Sequence, residues 1–563
     1  MNHYRRFLLL FAILLLAGCA TAAPATPSQS SAASQRVAAL TPTAGGFGSN
    51  FSYRPFNAFL EVIDNRGVAR PYLAEALPTL NSDTWQVYPD GRMQTRYQRY
   101  QLKPNLTWHD WTPLTADDFV FAWRVAITPG LGFINGTIAP LSLMDEVRAS
   151  DARTLIIEWR SLFPEAAVLQ QGGSILGLPP LPRHILDTVY AQGNPDAFGS
   201  HAYWTTGFIG AGPYRLDRWE FGSFLEGSAF DGHTLGRPRI DRLRVVFTED
   251  SNVALASLRA GTLDLSTDSA IDFPQALELK REWAQTNTGV VLHVSRSFRS
   301  VVFQFRPEYV SPRALLDPRV RRALAHSIDK QALNETLFGG EGRTTDTIFD
   351  ADLDYFPTIE RAISKYPYDL RATDRLMTEA GFTKGGDGMY TGTEGRFVGD
   401  IRSGAGAEGD QERAILGSTW RQAGFSITET ALSPAQSRDG EARAVFPGMY
   451  GQATGAGETN QLASFTTSQI AAPATRWTGQ NRQGWSNDEL DRLVETFNTT
   501  LEPDRRIQLR VRMAQLLSEE LPSAMLHYNL NPIVHAAALT GVGRVSTLTT
   551  GGVSWNMQEW ELR

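Results

Sequence analysis

Cysteine is almost missing from this 563-residue chain: Cys19 is the single example. An intrachain disulfide and a Cys-based metal site are therefore excluded. Histidine is sparse as well. His3, His109, His184, His201, His233, His293, His326, His527 and His535 are scattered, none in H-E-x-x-H or at the i, i+4 spacing that sets two ligands on one helical face. No G-x-S-x-G elbow, Walker A loop or G-x-G-x-x-G turn occurs, so nothing positive supports an enzyme, a cofactor or a bound metal. Charge of one sign is not concentrated either: 53 Lys and Arg face 60 Asp and Glu, a net of −7 without a block of like charge. That pattern carries no electrostatic footprint for nucleic acid. No repeat of 20–50 residues is present, which argues against a solenoid or propeller.

What is present begins at the N-terminus. Arg5 and Arg6 precede an apolar run from Phe7 to Leu16, too short to span a bilayer and typical of a secretory signal. The run ends in Leu16-Ala17-Gly18-Cys19, which resembles the bacterial lipobox, in which the Cys becomes the lipidated first residue of the mature chain. Two acyl chains hold a soluble body on a membrane where one would not. Residues 20–49, rich in Ala, Thr, Ser, Gln and Gly, have the composition of a flexible tether. The expectation is a signal peptide over 1–18, a lipid-anchored tether over 19–49, and an extracytoplasmic globular body beyond.

In the body, strand-like stretches (Thr154–Trp159, Arg239–Phe247, Val290–Val294, Val301–Phe305) alternate with capped helices. Thr115 and Asp118 form a capping-box pattern before Phe119, Ala122, Trp123 and Ala126. Asp317-Pro318, Asp369, Ser486 with Glu489, and Asp504 open four further helices. Asp117-Asp118 read as first-turn acids and not as a catalytic pair. The glycine-rich stretches Gly385–Gly409 and Gly448–Gly457 read as surface loops. The mixture predicts an α/β or α+β body of more than one lobe.

The segment Leu102–Arg124, LKPNLTWHDWTPLTADDFVFAWR, resembles the signature of the extracellular solute-binding proteins of peptide-type ABC importers, the family-5 group. Leu102, Trp108, Asp110, Thr112, Pro113, Thr115, Ala116, Asp118 and Phe119 carry the match; Trp111 stands where the family has Gly. Gly210–Leu216, Leu258–Asp264, Pro318–Lys330, Tyr368–Phe382 and Gly484–Asp491 resemble further family segments in the same order. The resemblance implies an α/β fold of the type II periplasmic-binding-protein kind, with two ligand-clamping lobes, a hinge and a third, inserted lobe. It divides the body into 50–59, 173–296 and 528–563 (lobe I), 60–172 (lobe II) and 297–527 (lobe III). The implied role is non-catalytic: a small solute, an oligopeptide or similar, is captured and delivered to a permease and ATPases supplied by other chains. A ligand-sensing receptor of the same fold and a secreted hydrolase are the alternatives.

Peptide-binding relatives carry an Asp for the ligand's α-amino group, and the corresponding stretch Phe446–Leu462 holds only Glu458 as an acid. Blocked or modified peptides, glycosides and neutral solutes therefore gain weight over a free-amine peptide. Candidate ligand contacts are Tyr450, Phe298, Arg299, Trp477, Trp485 and Glu458, with Arg299 placed to take a carboxylate bidentately. Phe47, Gly48 and Ser49 are a weaker candidate for an edge strand beside the ligand.

Overall fold

The structure is a computed structural model describing residues 36–37, 40–41, 53–97, 102–131, 140–169, 177–248, 250–267, 270–404, 406–455, 458–543 and 552–563. The signal segment, Cys19 and Phe47–Ser49 lie outside the described residues. Two short strands inside the stretch expected as tether, Arg36–Val37 and Leu40–Thr41, pair in parallel with Arg242–Phe247.

Local capping sets most helices where the sequence places them. Ala116–Ile127 follows Thr115, whose N–H donates to Asp118 Oδ2 at 2.8 Å. Asp118 also accepts from Arg183 N at 3.1 Å, tying this helix to the next. Asp317 and Asp369 cap Pro318–His326 and Leu370–Glu379. The helix expected at Ser486 starts one residue later: Asn487, not Ser486, accepts from the Glu489 and Leu490 amides. Pro503–Glu520 ends against Arg321, a buried guanidinium that donates to the carbonyls of Leu315, Leu316, Glu520 and Leu521. Those carbonyls have no helical partner, so one side chain satisfies two chain ends.

A four-stranded antiparallel sheet (Trp85–Val87, Met93–Tyr97, Thr154–Trp159, Met144–Asp151) supports Ala116–Ile127. A second sheet joins Tyr214–Glu220, Phe224–Ala229 and Arg242–Phe247. One buried cluster runs through both, from Phe56 to Val245, and takes in Val553, Met557 and Trp560 near the C-terminus. His109 stitches the signature segment to the Gly210–Leu216 segment: Gly210 N donates to its Nδ1 at 3.2 Å and its Nε2 donates to Gly212 O at 3.0 Å. Trp111 keeps the turn that the family closes with Gly, adopting φ +68° and lying 5.0 Å from Phe230.

The third sheet organises the molecule. Its order is Leu265–Ser266, Ser523–Ala536, Gly289–Phe303, Met449–Gly455, Val398–Gly404, Ser426–Leu432. The two stretches read separately as Val290–Val294 and Val301–Phe305 are one continuous strand, paired antiparallel with Ser523–Ala536 from Gly289↔Ala536 to Val302↔Ser523. This long pair passes from one core to another: Val294 and Ile533 pack in the first cluster, Val301, Phe303, Ala524 and Leu526 in a second. The register slips at Ser295/Ser297 and Arg299/Ser300.

The two glycine-rich stretches are only partly loops: Gly385–Gly388 is an exposed turn, but ordered elements run through both. Gly448–Gly457 contains the central strand Met449–Gly455, and Gly385–Gly409 contains the strand Val398–Gly404 and the start of helix Ala407–Ala423. Close approach accounts for two of the glycines. A Cβ on Gly448 would sit 2.6 Å from Asp400 O, and one on Gly451 would sit 3.2 Å from Glu412 Oε1.

Candidate functional site

The strands Val398–Gly404 and Met449–Gly455 run parallel and pair only at Ile401↔Met449 and Arg402↔Tyr450. Beyond that point they part. Such a fork at the carboxyl ends of parallel strands is where open α/β sheets bind ligands. A cavity of about 400 Å³ opens there, lined by Arg299, Glu408, Arg443, Tyr450, Gln452 and Arg482 together with Ser437, Ala453 and glycines of both strands. One edge of Met449–Gly455 is paired with Ser297–Phe303; from Gly451 to Gly455 the other edge has no strand neighbour among the described residues.

Side chains alternate across this strand. Tyr450 packs on Val302, Leu432 and Phe446, its ring 5.5 Å from that of Phe446. Only 4% of Tyr450 and 5% of Gln452 is exposed, yet neither hydroxyl nor amide meets a partner among the described residues. Their polar atoms are not sealed in protein, and both residues line the cavity. Burial raises the Tyr450 pKa, against the opposing charges of Arg482, Arg443 and Arg299. Arg482 makes no ion pair among the described residues; burial lowers its pKa, and the charge of Arg443 adds to that. Arg443 donates through Nε to Asp439 O at 3.4 Å and has no carboxylate partner among the described residues.

Beneath the cavity lies a buried charge cluster. Arg299 grips Glu412 bidentately, Nε to Oε2 at 3.0 Å and Nη2 to Oε1 at 2.6 Å. His527 Nε2, directly across the long strand pair from Arg299, donates to Glu412 Oε2 at 3.1 Å. Burial pushes the Glu412 carboxyl up, but the Arg299 charge and the hydrogen bonds from His527 and Arg299 hold it at about 2. Burial alone would lower the Arg299 pKa; Glu412 holds it above its ordinary value. Glu408 stands on the first turn of Ala407–Ala423 at the cavity rim; desolvation there raises its carboxyl, the Arg299 charge opposes this and the Glu412 charge adds to it.

The sequence candidates thus separate. Tyr450 and Arg299 line the cavity, but Arg299's fork is already occupied by an internal carboxylate, correcting its expected role as a free anchor. Phe298 points to the face opposite Arg299, and it is fully buried with Trp485 in the cluster around Leu490, Leu509 and Met513. Both are packing residues: a side chain closed on all sides by apolar neighbours offers no surface to a solute. Trp477, half-buried, abuts Gly440 away from the cavity lining. Glu458 begins the helix Glu458–Ala463, and its side chain lies outside the described residues. Arg443, Arg482, Gln452 and Glu412 were not foreseen. No spacing links 299, 412, 443 and 482; only the fold brings them together. The cavity is cationic, which runs against the weight that the missing Asp gave to neutral solutes.

Among the described residues no helix is long and apolar enough to cross a membrane. The match to the bacterial extracellular solute-binding proteins, family 5, covers residues 75–470. A putative ABC transporter peptide-binding protein of Brucella ovis is 25% identical over 49% of this chain and 48% of its own. The chain therefore spans about half the length of the first curated relatives it matches. The dipeptide-binding protein of Escherichia coli is 21% identical over 81% of each chain. Among solved structures, NikZ from Campylobacter jejuni in complex with Ni(L-His) aligns with a TM-score of 0.70 and 20% identity, covering 94% of this chain and 99% of its own. The oligopeptide-binding protein of Thermus thermophilus with a pentapeptide aligns at 0.69 and 19%, covering 94% and 96%. These neighbours share the type II periplasmic-binding-protein fold. The chain belongs to the bacterial extracellular solute-binding proteins, family 5, which bind solutes and are not enzymes.

Proposed function

We propose that this chain is the substrate-binding lipoprotein of an ABC importer. It captures a peptide or similar small solute in the fork beside Met449–Gly455 and delivers it to a membrane permease driven by separate ATPase subunits. The observation that carries this reading is the open strand edge from Gly451 to Gly455 flanking the cavity. An extended ligand adds there as a strand, its backbone paired and its side chains turned alternately into the cavity. The long pair Gly289–Phe303 and Ser523–Ala536 supports a hinge between the lobes given by 50–59, 173–296 and 528–563 on one side and 297–527 on the other, with 60–172 inserted. Cys19 carries the lipid, the stretch between it and the strand Arg36–Val37 serves as a leash shorter than the 19–49 expected, and the body works outside the cytoplasm.

Native mass spectrometry of the mature chain, purified without denaturation and then unfolded to release its cargo, tests this. A stoichiometric small solute is expected. Steady turnover of a solute by the purified protein, or no stabilisation by any member of a peptide and chelate panel, overturns the reading.

A further inference from the structure

Three arginines face the cavity, and they are not equivalent. Arg299 is neutralised by Glu412. Arg443 and Arg482 have no counter-ion among the described residues, and the charge of each bears on the other. Both act electrostatically on Tyr450, whose hydroxyl has no partner among the described residues at 4% residue exposure. Gln452, two residues along on the same face, presents an amide that likewise has none among them. Half-burying two like charges together is unfavourable unless something of opposite charge joins them. The donors available are two planar forks, a phenol and an amide, which suit a flat or tetrahedral oxyanion. The one open acid of the lining, Glu408, answers to Arg299, Glu412 and His527, and it sits in a helical first turn where the dipole favours an acid. It therefore does not neutralise this corner.

We infer that the corner formed by Arg443, Arg482, Tyr450 and Gln452 is an oxyanion subsite, so that the solute carries a carboxylate or phosphate and needs no ammonium group. The inference rests on the solute-binding reading above and narrows its substrate class. Glu412 has a part in it: by occupying Arg299 it leaves the anion one place to go.

The test uses the mature chain and four probes at constant ionic strength: citrate, N-acetyl-trialanine (anionic), trialanine amide (cationic) and N-acetyl-trialanine amide (neutral). Thermal shift and titration calorimetry read the binding. Citrate and N-acetyl-trialanine are expected to stabilise the protein, and the cationic amide to bind at least about tenfold more weakly than the anionic peptide, the worth of one charge-assisted hydrogen bond. Arg443→Ala and Arg482→Ala should each weaken the anionic probes by about tenfold or more, and Arg482→Lys should recover part of the loss. Neither residue lies in a core cluster, and each substitution to Ala relieves a like-charge repulsion, so the unliganded melting temperature of the variants should equal or exceed that of the parent and verify folding. Two results overturn the inference while leaving solute binding intact: neutral or cationic peptides binding as tightly as the anionic one, or citrate stabilisation surviving in the double variant. If no probe of any charge stabilises the parent, the oxyanion corner is refuted, and failure of the wider panel as well removes the solute-binding reading.

Discussion

Replacing Glu412 with Gln isolates the buried charge cluster. The substitution keeps the shape of the side chain but leaves Arg299 facing a neutral acceptor in a site where Glu412 is 1% exposed. A carboxyl held at about 2 and not at 4.5 favours the ionised form by about 3 kcal/mol. Removing one member of a buried ion pair costs about 3–5 kcal/mol by an independent route, because the other charge is stranded. The two figures agree, so a loss of about 3 kcal/mol at pH 7 is expected, read by urea unfolding followed through tryptophan fluorescence. The pH dependence has a definite sign. A depressed carboxyl contributes stability fully above its unfolded value near 4.5, and that contribution disappears as pH falls toward 2. The gap between parent and Glu412→Gln should therefore narrow below about pH 4.5. Replacing the pair together, Arg299→Met with Glu412→Leu, should be milder than either single change. A loss below about 1 kcal/mol at pH 7, or a gap unchanged from pH 7 to pH 3, refutes the reasoning.

Three other outcomes follow from the packing and one from the N-terminal motif. Gly451→Val directs a side chain at Glu412 and Arg299 and should abolish solute binding while Gly455→Ala, with open space around its Cβ, leaves it unchanged; calorimetry with the captured solute decides. Phe298→Ala or Trp485→Ala should cost about 3–5 kcal/mol in unfolding free energy, as core truncations do, and equal affinity in a folded variant would agree with their place outside the cavity. Burial holds His109 and His233 near 4, so their stabilising neutral forms are fully present above about pH 6.5 and lost as pH falls toward 4; His233→Gln should flatten stability over that window, and an unchanged slope would count against it. Cys19→Ser should move the protein from the membrane to the soluble fraction, and unchanged retention would refute lipidation.

Much of the fold was legible because helix ends are encoded locally. An Asp before Pro318 or Leu370 acts on amides two and three residues away, so its effect needs no knowledge of the rest of the chain. Asn487 displaced Ser486 as a cap because both side chains suit the job, and backbone entry chose between them. The glycine-rich stretches misled for a physical reason. Glycine reads as turn chemistry, but a Cβ on Gly448 would collide with the Asp400 carbonyl and one on Gly451 would press on Glu412. Aromatic candidates failed for a related reason: Phe298 and Trp485 look the same in sequence whether they line a cavity or fill a core, and the assembled fold packs both into one core cluster. Arg443 and Arg482 gave no signal because their significance is a missing partner, and only the assembled fold shows that no carboxylate among the described residues reaches them.

The slipped register of the long strand pair carries a consequence for how occupancy is felt. A ladder of paired strands resists sliding but bends and twists where a residue is extra. One slip, at Arg299/Ser300, falls on the residue that joins the ladder to the helix rimming the cavity. On the hinge proposed above, the fulcrum and the binding wall share Arg299, and no relay of side chains is needed between them. Substitutions at Ser295, Ser297 or Ser300 would then reset the balance of open and shut forms without touching the solute, and apparent affinity would scale with the fraction competent to bind. Tightness of capture in this protein would be a property tuned from the spine as much as from the pocket.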